Sequence, residues 1–286
     1  MNKIKKYMKQ MNNDGSALVI AIVVIGFVSI LTTVLLYLAS MNYQMKSTDH
    51  KTKVSFYGAE IPLEELRTCL VMDVSAAANE AYSDVIYKYN TLSGNVRNTQ
   101  YQTAFKEEFI DIWEKRTTDP TDSTIIWNWE EGIKNALIFD ATSSELIAER
   151  DEKYHIIDSG QWDGEKCNKI TCTCPYHIIL EELVDDEGKP LPASERLEIH
   201  EKKEINAEGV EELTIYFDLK GLRVIYTEDS FTTDIETSFR ISVPAMEWGV
   251  DQYSNEWTTD DKNNKAQNRI EVNMENSVIY LDWFKN

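Results

Sequence analysis

The sequence predicts an α+β protein in which a long N-terminal helix packs on a globular head with an antiparallel β-sheet. Three patterns predict this class. The run Ala17 to Ala39 contains no charged residue and no proline. Between Phe56 and Tyr89, apolar residues recur at steps of three and four. After about Tyr154, short β-rich runs alternate with polar turns. The first two patterns favour helix and the third favours strands.

The uncharged run predicts a helix that spans a membrane. Its 23 residues, at about 1.5 Å each, extend over about 35 Å, which is longer than a hydrocarbon core of about 30 Å. A segment in lipid must satisfy its backbone polar groups internally, so this run is expected to be helical. Ser29, Thr32 and Thr33 lie within it, and their hydroxyls are expected to bond to preceding carbonyls or to a neighbouring helix.

Positive charge before the run predicts its orientation. Four lysines precede the first acidic residue, so we expect the N-terminus to be cytoplasmic and the chain beyond about residue 45 to lie outside. A secretory signal would be shorter and would end in a small-x-small cleavage site. Leu38-Ala39-Ser40 is a poor version of that site. The run is therefore expected to remain as an anchor in the cytoplasmic (inner) membrane.

Small residues stand instead at the front of the run, at Gly15-Ser16-Ala17. A basic leader that ends in glycine before an apolar helix resembles the class III signal of type IV prepilins. The resemblance implies that a prepilin peptidase cleaves between Gly15 and Ser16 and that Ser16 becomes the N-methylated first residue. It also implies an assembly helix that serves first as membrane anchor and later as filament core beside other pilins or pseudopilins. The first residues of that helix after Ser16 are Ala17, Leu18, Val19 and Ile20.

Two further features narrow the resemblance. The sequence from Gly15 to Ile20 is similar to the leaders of PilX-like and K-type minor pilins, and the stretch Phe56 to Leu66 is similar to the region after the anchor in PilX-like proteins. Most pilins carry glutamate at the fifth mature position, where this chain has Ile20. A carboxylate in the bilayer is costly and is usually kept for a partner. Its replacement implies a minor, tip-associated or initiating subunit of a type IV pilus or a type II secretion-like filament.

Two alternatives belong to other classes. The chain could be an adhesion or sensor module on a plain single-pass anchor that keeps its leader, or an enzyme on such an anchor. The sequence contains no Gly-x-Ser-x-Gly, no glycine-rich phosphate loop and no His-Glu-x-x-His, which are common signatures of catalysis. We therefore expect a non-enzymatic protein without a cofactor.

The acidic composition disfavours some partners. The formal net charge is −20, and the first fifteen residues carry four lysines and one aspartate, so their removal would leave −23. Such a charge disfavours nucleic acid and anionic membrane surfaces as partners.

The predicted organisation has four parts: a leader (1–15), a transmembrane and filament-core helix (16–45), an amphipathic extracytoplasmic helix (46–90) and an acidic α+β head (91–286). Pro62 interrupts the amphipathic helix, and because proline removes one hydrogen bond we expect a kink or break there.

Turn residues and periodicity divide the head into elements. The expected elements are a loop from Asn90 to Asn98, a helix from Thr99 to Lys115 with Tyr101, Phe105, Phe109 and Ile112 on one face, a short strand from Ile125 to Trp129, a mainly helical stretch from Ile133 to Arg150, a hairpin from Leu213 to Tyr226 that turns at Lys220-Gly221, and a strand from Phe231 to Val243.

Four cysteines fall in the part of the chain predicted to lie outside the cytosol, where disulfides persist. Cys172 and Cys174 would face one side of a strand, with Cys167 in the loop before them. A bond from Cys167 to either of them is one option, and a bond from Cys69 that ties the long helix to the sheet is another. Free thiols, or a metal site of three thiols and His177, are alternatives, although the spacing matches no standard zinc pattern.

The resemblance to K-type minor pilins implies one possible cofactor, calcium, which tip subunits of that family can bind in acidic loops. The loops near Asp185 and Asp260 are where it would bind, but neither has the Asp-x-Asp-x-Asp-Gly spacing of a calcium loop. A solvated acidic surface is the simpler interpretation. Trp127 and Trp129 are expected in the core, unless an exposed pair serves adhesion.

Overall fold

A computed structural model describes residues 2–88, 91–118, 127–138, 143–158, 174–205, 209, 211–228, 231–247 and 271–285. Four α-helices and eight β-strands lie in these ranges. They are α1 (Asn2–Lys88), α2 (Gly94–Thr117), α3 (Trp129–Ala136), α4 (Ser144–Lys153), β1 (Tyr154–Asp158), β2 (Tyr176–Leu180), β3 (Leu197–Ile205), β4 (Glu211–Glu228), β5 (Phe231–Ser242), β6 (Ala245–Glu247), β7 (Glu271–Asn273) and β8 (Val278–Lys285). The chain divides into two compact units, Met1–Val54 and Ser55–Asn286.

Helix α1 crosses that division, and the second unit begins within it. The helix continues through Pro62, so the predicted break is wrong, and the kink given as its alternative stays a prediction. Proline cannot donate a hydrogen bond to the carbonyl of Gly58. The loss of this one bond is tolerated because Pro62 is buried and residues on both sides of it, Ala59 and Leu63, belong to one hydrophobic core.

The predicted apolar stripe of α1 is confirmed. Phe56 is partly buried against the core, and the stripe residues from Ala59 to Val85 are buried. Tyr89, the last position of the stripe, lies outside the described residues. The steps of three and four keep these side chains on one face, and that face forms one wall of the core.

Two helices begin where other structure was expected. Helix α2 begins at Gly94, inside the stretch predicted to be a loop. Its buried face is Tyr101, Phe105, Phe109 and Trp113, with the predicted Ile112 only partly buried. The predicted strand from Ile125 to Trp129 is wrong where it is described, because Trp129 begins α3. Asn128 caps α3 by accepting a hydrogen bond from the backbone N–H of Glu131 at 3.2 Å.

The principal sheet has the order β1-β2-β4-β5-β8, with β3 also paired to β4. Every pair is antiparallel except β1 and β2, which run parallel. The sheet is therefore mixed, a correction to the antiparallel sheet expected from sequence. Strands β6 and β7 form a separate two-stranded sheet.

The predicted hairpin at Lys220-Gly221 is wrong. Strand β4 continues through these residues, and its register with β5 shifts between Leu219 and Leu222. Two residues of β4 there stand opposite the single residue Ser238 of β5, which is a β-bulge. The positive φ of Gly221 (+72°) suits the bulge. The positions that belong to the main hydrophobic core change from odd numbers up to Leu219 to even numbers from Leu222, so the inserted residue keeps both halves of the strand facing that core.

Helices α1 and α2 pack on the same sheet. Phe109 of α2 lies against Phe217 of β4, with ring centroids 4.8 Å apart. From α1, the Ser55 hydroxyl lies 2.8 Å from that of Thr233 in β5, and the side of the helix at Gly58 lies against the ring of Tyr226 in β4. These contacts confirm the α+β layout of a long helix on a sheet.

Candidate membrane anchor and polar sites of the head

The N-terminal part of α1 is apolar and exposed. From Ser16 the helix has the length and composition that membrane spanning requires, and it is the only helix in the described part of the chain that has both. Leu18, Ile25 and Leu36 are 64%, 65% and 67% exposed. Exposed leucines and isoleucines on every side of a helix are unfavourable in water and favourable in lipid or among other apolar helices.

The serine and threonine hydroxyls of this segment are satisfied within the helix. Ser29 donates to the carbonyl of Ile25 at 2.8 Å, Thr32 to that of Val28 at 2.8 Å, and Thr33 to that of Ser29 at 2.9 Å. The predicted bonding to preceding carbonyls is confirmed. Because these donors already have acceptors, they add little to the cost of placing the helix in hydrocarbon.

The residues predicted for leader processing and assembly all lie within α1. The helix runs without interruption through Gly15 and Ser16. Beyond them, Ala17, Leu18, Val19 and Ile20 have exposed side chains. This geometry makes the assembly residues available to lipid or to other helices, while cleavage after Gly15 remains a prediction.

The structure describes two of the four cysteines. Cys69 is buried on α1, and its thiol donates to the carbonyl of Ala136 at the end of α3. Cys174 is half-buried before β2, with its Sγ 3.5 Å from the carbonyl oxygen of Asp151. Cys167 and Cys172 lie outside the described residues, so the disulfide and metal alternatives that involve them remain predictions.

The carboxylate of Asp185 stabilises the turn of the acidic loop in which it lies. The Asp185 Oδ1 accepts the backbone N–H groups of Glu187 at 3.0 Å and Lys189 at 2.8 Å. Within the described residues there is no cluster of three or more histidine, cysteine, aspartate or glutamate side chains that could hold a metal ion. Asp260 and Asp261 lie outside those residues, so calcium binding there is untested.

Two glutamates of α1 hold tyrosines of the sheet. The hydroxyl of Tyr280 in β8 donates to Glu64 at 2.7 Å, and that of Tyr154 in β1 donates to Glu65. Burial, followed by these hydrogen bonds, raises the pKa of both phenols, so both remain protonated donors. Lys153 completes the second group with an ion pair to Glu65 at 2.7 Å. These groups orient α1 on the sheet.

A histidine pair on β1 and β2 was not foreseen from the sequence. His155 and His177 are register partners in the parallel pair, and their ring centroids are 5.6 Å apart. Burial, with a smaller contribution from His155, lowers the pKa of His177. Their separation of 22 positions in the chain gives no local signal, because the pairing depends on the parallel register.

The described tryptophans are packed among other aromatic rings. Trp129 is buried, its ring lies 5.9 Å from that of Trp127, and its indole N–H donates to the carbonyl of Ala193 at 2.7 Å. The ring of Trp113 also packs against Trp129, with centroids 5.7 Å apart. The expectation that Trp129 lies in the core is confirmed. Trp127 is partly buried against that core.

No family model, curated protein or solved structure matches this chain. Function is therefore inferred from the leader motif, the exposed helix and the head.

Proposed function

We propose that this chain is a non-enzymatic minor pilin or pseudopilin, held in the cytoplasmic membrane by α1 with its N-terminus inside and its head outside. Assembly would transfer the apolar segment from lipid to a bundle of like helices. The observation that carries this proposal is that two parts of one helix have different surroundings. From Ala17 to Ala39 the side chains are exposed, uncharged and mostly apolar, whereas one face from Ala59 to Val85 is buried in the head.

Both environments of the apolar segment suit its surface. Lipid covers leucine and isoleucine side chains, and so does a neighbouring helix of the same kind. Gly26 has no atom within 4 Å of the position that a Cβ would occupy, so it leaves room on the helix surface for close approach. A filament core built from such helices needs no change in the secondary structure of α1.

In this proposal the subunit stands at the filament tip or initiates assembly, because it carries Ile20 at the fifth mature position. An ordinary repeating pilin would use a glutamate there to bind the amino group of its neighbour, and this chain offers an apolar side chain that is 61% exposed. A subunit without this contact is suited to a position that it occupies once. The partners are therefore other pilins or pseudopilins, reached through the N-terminal helix, and the prepilin peptidase.

The test is the N-terminus of the mature protein. We expect intact-mass measurement and N-terminal sequencing to show a chain that begins at N-methylated Ser16. Gly15→Leu should leave the full leader in place, because leaders of the prepilin family end in glycine before the cut. Gly26→Leu, in the same helix but away from the cut, should be processed normally. A wild-type chain that keeps Met1 to Gly15 would favour the plain anchor, and the proposal would be wrong.

A further inference from the structure

A groove lies between the end of α1 and the first half of α2. Near the turn that joins the helices, Gln100 of α2 donates a hydrogen bond to Asp84 of α1 at 3.0 Å. Farther from that turn, Arg116 of α2 forms an ion pair with Asp73 of α1 at 2.8 Å. Residue numbers rise along one helix as they fall along the other, so the two helices are antiparallel where they form the groove.

The groove has the dimensions of a short helical segment. Its volume is about 980 Å³, and its lining extends over residues 80–88 of α1 and 95–108 of α2. At about 1.5 Å per residue these stretches are about 12–20 Å long, which corresponds to two to four turns of another helix. The base includes Ala81 and Ala104. Because alanine side chains leave the space between α1 and α2 unfilled, a third helix can approach closely.

The α2 side of the groove presents an apolar surface. Val96 lines the groove and is 50% exposed. Thr99 and Thr103, which are exposed as well, follow at steps of three and four along the helix, so the three residues share one face. The Thr103 hydroxyl donates to the carbonyl of Thr99 at 2.9 Å, and this bond satisfies the polar end of the side chain. An occupant of the groove therefore needs an apolar side of its own.

The end of the groove away from the turn is negatively charged. Glu80 of α1 and both Glu107 and Glu108 of α2 line it, and the antiparallel packing brings them to the same end. Glu80 and Glu107 are exposed, and Glu108 is half-buried. The one lysine among the described lining residues, Lys88, lies at the other end and is paired with Asp84 at 2.9 Å. A cationic occupant would relieve the repulsion between the three glutamates.

These two features together favour one kind of occupant. Nucleic acid and anionic lipid would be repelled by the glutamates. A small polyamine would neutralise the glutamates but would leave the apolar surface and most of the length of the groove uncovered. An amphipathic helix with lysine or arginine beside its apolar stripe matches the charge, the apolar surface and the length.

From this match we infer that the groove is a docking site for a basic amphipathic helix of a partner protein. The apolar stripe of that helix lies against the Val96 face of α2, and its lysine or arginine side chains reach the three glutamates. The inference does not depend on the membrane anchor or on pilus assembly. Because the whole chain carries −20, any cation is attracted to it, and a decisive experiment has to separate the groove from the net charge.

The experiment measures binding of a fluorescently labelled synthetic helix to the full chain in phosphatidylcholine nanodiscs by fluorescence anisotropy. The peptide has about 14 residues, or about four turns, with leucine and alanine on one face and lysine on the other. We expect binding that saturates and that empty nanodiscs at the same lipid concentration do not show. An unlabelled peptide of the same composition in scrambled order, which has no apolar stripe, should compete at least tenfold more weakly than the unlabelled helix, and so should spermidine.

Two variants of the chain test the position of the site. Glu80→Gln, Glu107→Gln and Glu108→Gln together should weaken binding of the helix at least tenfold. Thr103→Trp leaves these charges in place and adds a large ring at an exposed position of the groove. It should also weaken binding at least tenfold, and circular dichroism shows whether each variant keeps its helix content.

The matched control removes the same charge from another helix. Glu145→Gln, Glu149→Gln and Glu152→Gln, at exposed positions of α4, should leave binding within twofold of wild type. No binding beyond that of empty nanodiscs, or equal weakening by the two triple variants, would overturn the inference. Equal competition by the scrambled peptide or by spermidine would also overturn it, because the groove would then recognise charge alone.

Discussion

The approach of α1 to the sheet at Gly58 gives the most discriminating test of the packing. A Cβ on Gly58 would lie 2.6 Å from Cδ1 and 2.9 Å from Cζ of Tyr226. That ring cannot withdraw easily, because it stacks on Tyr176 with centroids 4.9 Å apart. Gly58→Ala therefore sets two effects of opposite sign against each other. Alanine favours the helix by about 1 kcal/mol, and overpacking a close contact costs about 1–3 kcal/mol.

We expect the clash to dominate, with a net loss of about 1 kcal/mol and a fall in Tm of about 2–4 °C for a unit of this size. When Tyr226→Ala removes the ring first, the same Gly58→Ala change should stabilise by about 1 kcal/mol through helix propensity alone. The coupling between the two positions is then about 2 kcal/mol, which a double-mutant cycle resolves. Urea unfolding followed by circular dichroism measures all four chains.

Gly26→Ala is the matched control, because no atom lies within 4 Å of its Cβ position. It should leave unfolding of the head unchanged. If Gly58→Ala stabilised the protein equally with and without the Tyr226 ring, the close approach of helix and sheet would be wrong.

Two further predictions concern charge. Asp73→Asn should destabilise by about 3 kcal/mol, because it leaves the half-buried Arg116 guanidinium without the carboxylate 2.8 Å away. Asp49→Asn removes a carboxylate from an exposed ion pair and should cost less than about 0.5 kcal/mol in the same urea measurement. Equal losses of stability in the two variants would contradict this ranking. Because the pKa of His177 is lowered on folding, the unfolded chain binds the proton more tightly, so stability should fall as the pH drops below about 6.5. His177→Gln should flatten that fall in the urea midpoint between pH 7 and 5, His50→Gln should not, and an unchanged slope in the first variant would refute the assignment.

The helical part of the fold was predictable because its signal is local. The steps of three and four between Ala59 and Val85 locate a buried face without knowledge of what covers it. Alternation from Ile235 to Ile241 likewise locates the inner face of β5. The length of the uncharged run is by itself sufficient to predict the exposed segment that begins after Ser16.

The sheet was harder to predict because its distinctive features depend on partners far along the chain. Lys220-Gly221 suits a turn and a bulge equally well, and pairing with β2, β3 and β5 decides for the bulge. The parallel register of β1 with β2, and with it the His155–His177 pair, has no local signature. Pro62 was expected to kink or break the helix, because proline removes one hydrogen bond. The burial that compensates for this loss depends on tertiary contacts, which the local sequence does not show.

The unpaired state of the Tyr101 hydroxyl could not be predicted from the sequence for a related reason. The periodicity places Tyr101 on the buried face of α2, and its neighbours Phe105 and Phe109 make it look like one more core aromatic. Only the structure shows that its buried hydroxyl has no hydrogen-bond partner among the described residues. A tyrosine at the end of a phenylalanine row is the one local hint.

Mass spectrometry of surface filaments sheared from cells and separated from membranes tests the central claim most directly. The claim is that the apolar segment of α1 leaves lipid for a filament interior. It predicts that this chain is found in the filaments in small amounts relative to the major subunit, with Ser16 as its first residue and the segment to Ala39 intact. A chain found only in the membrane fraction, or in filaments without that segment, would contradict it.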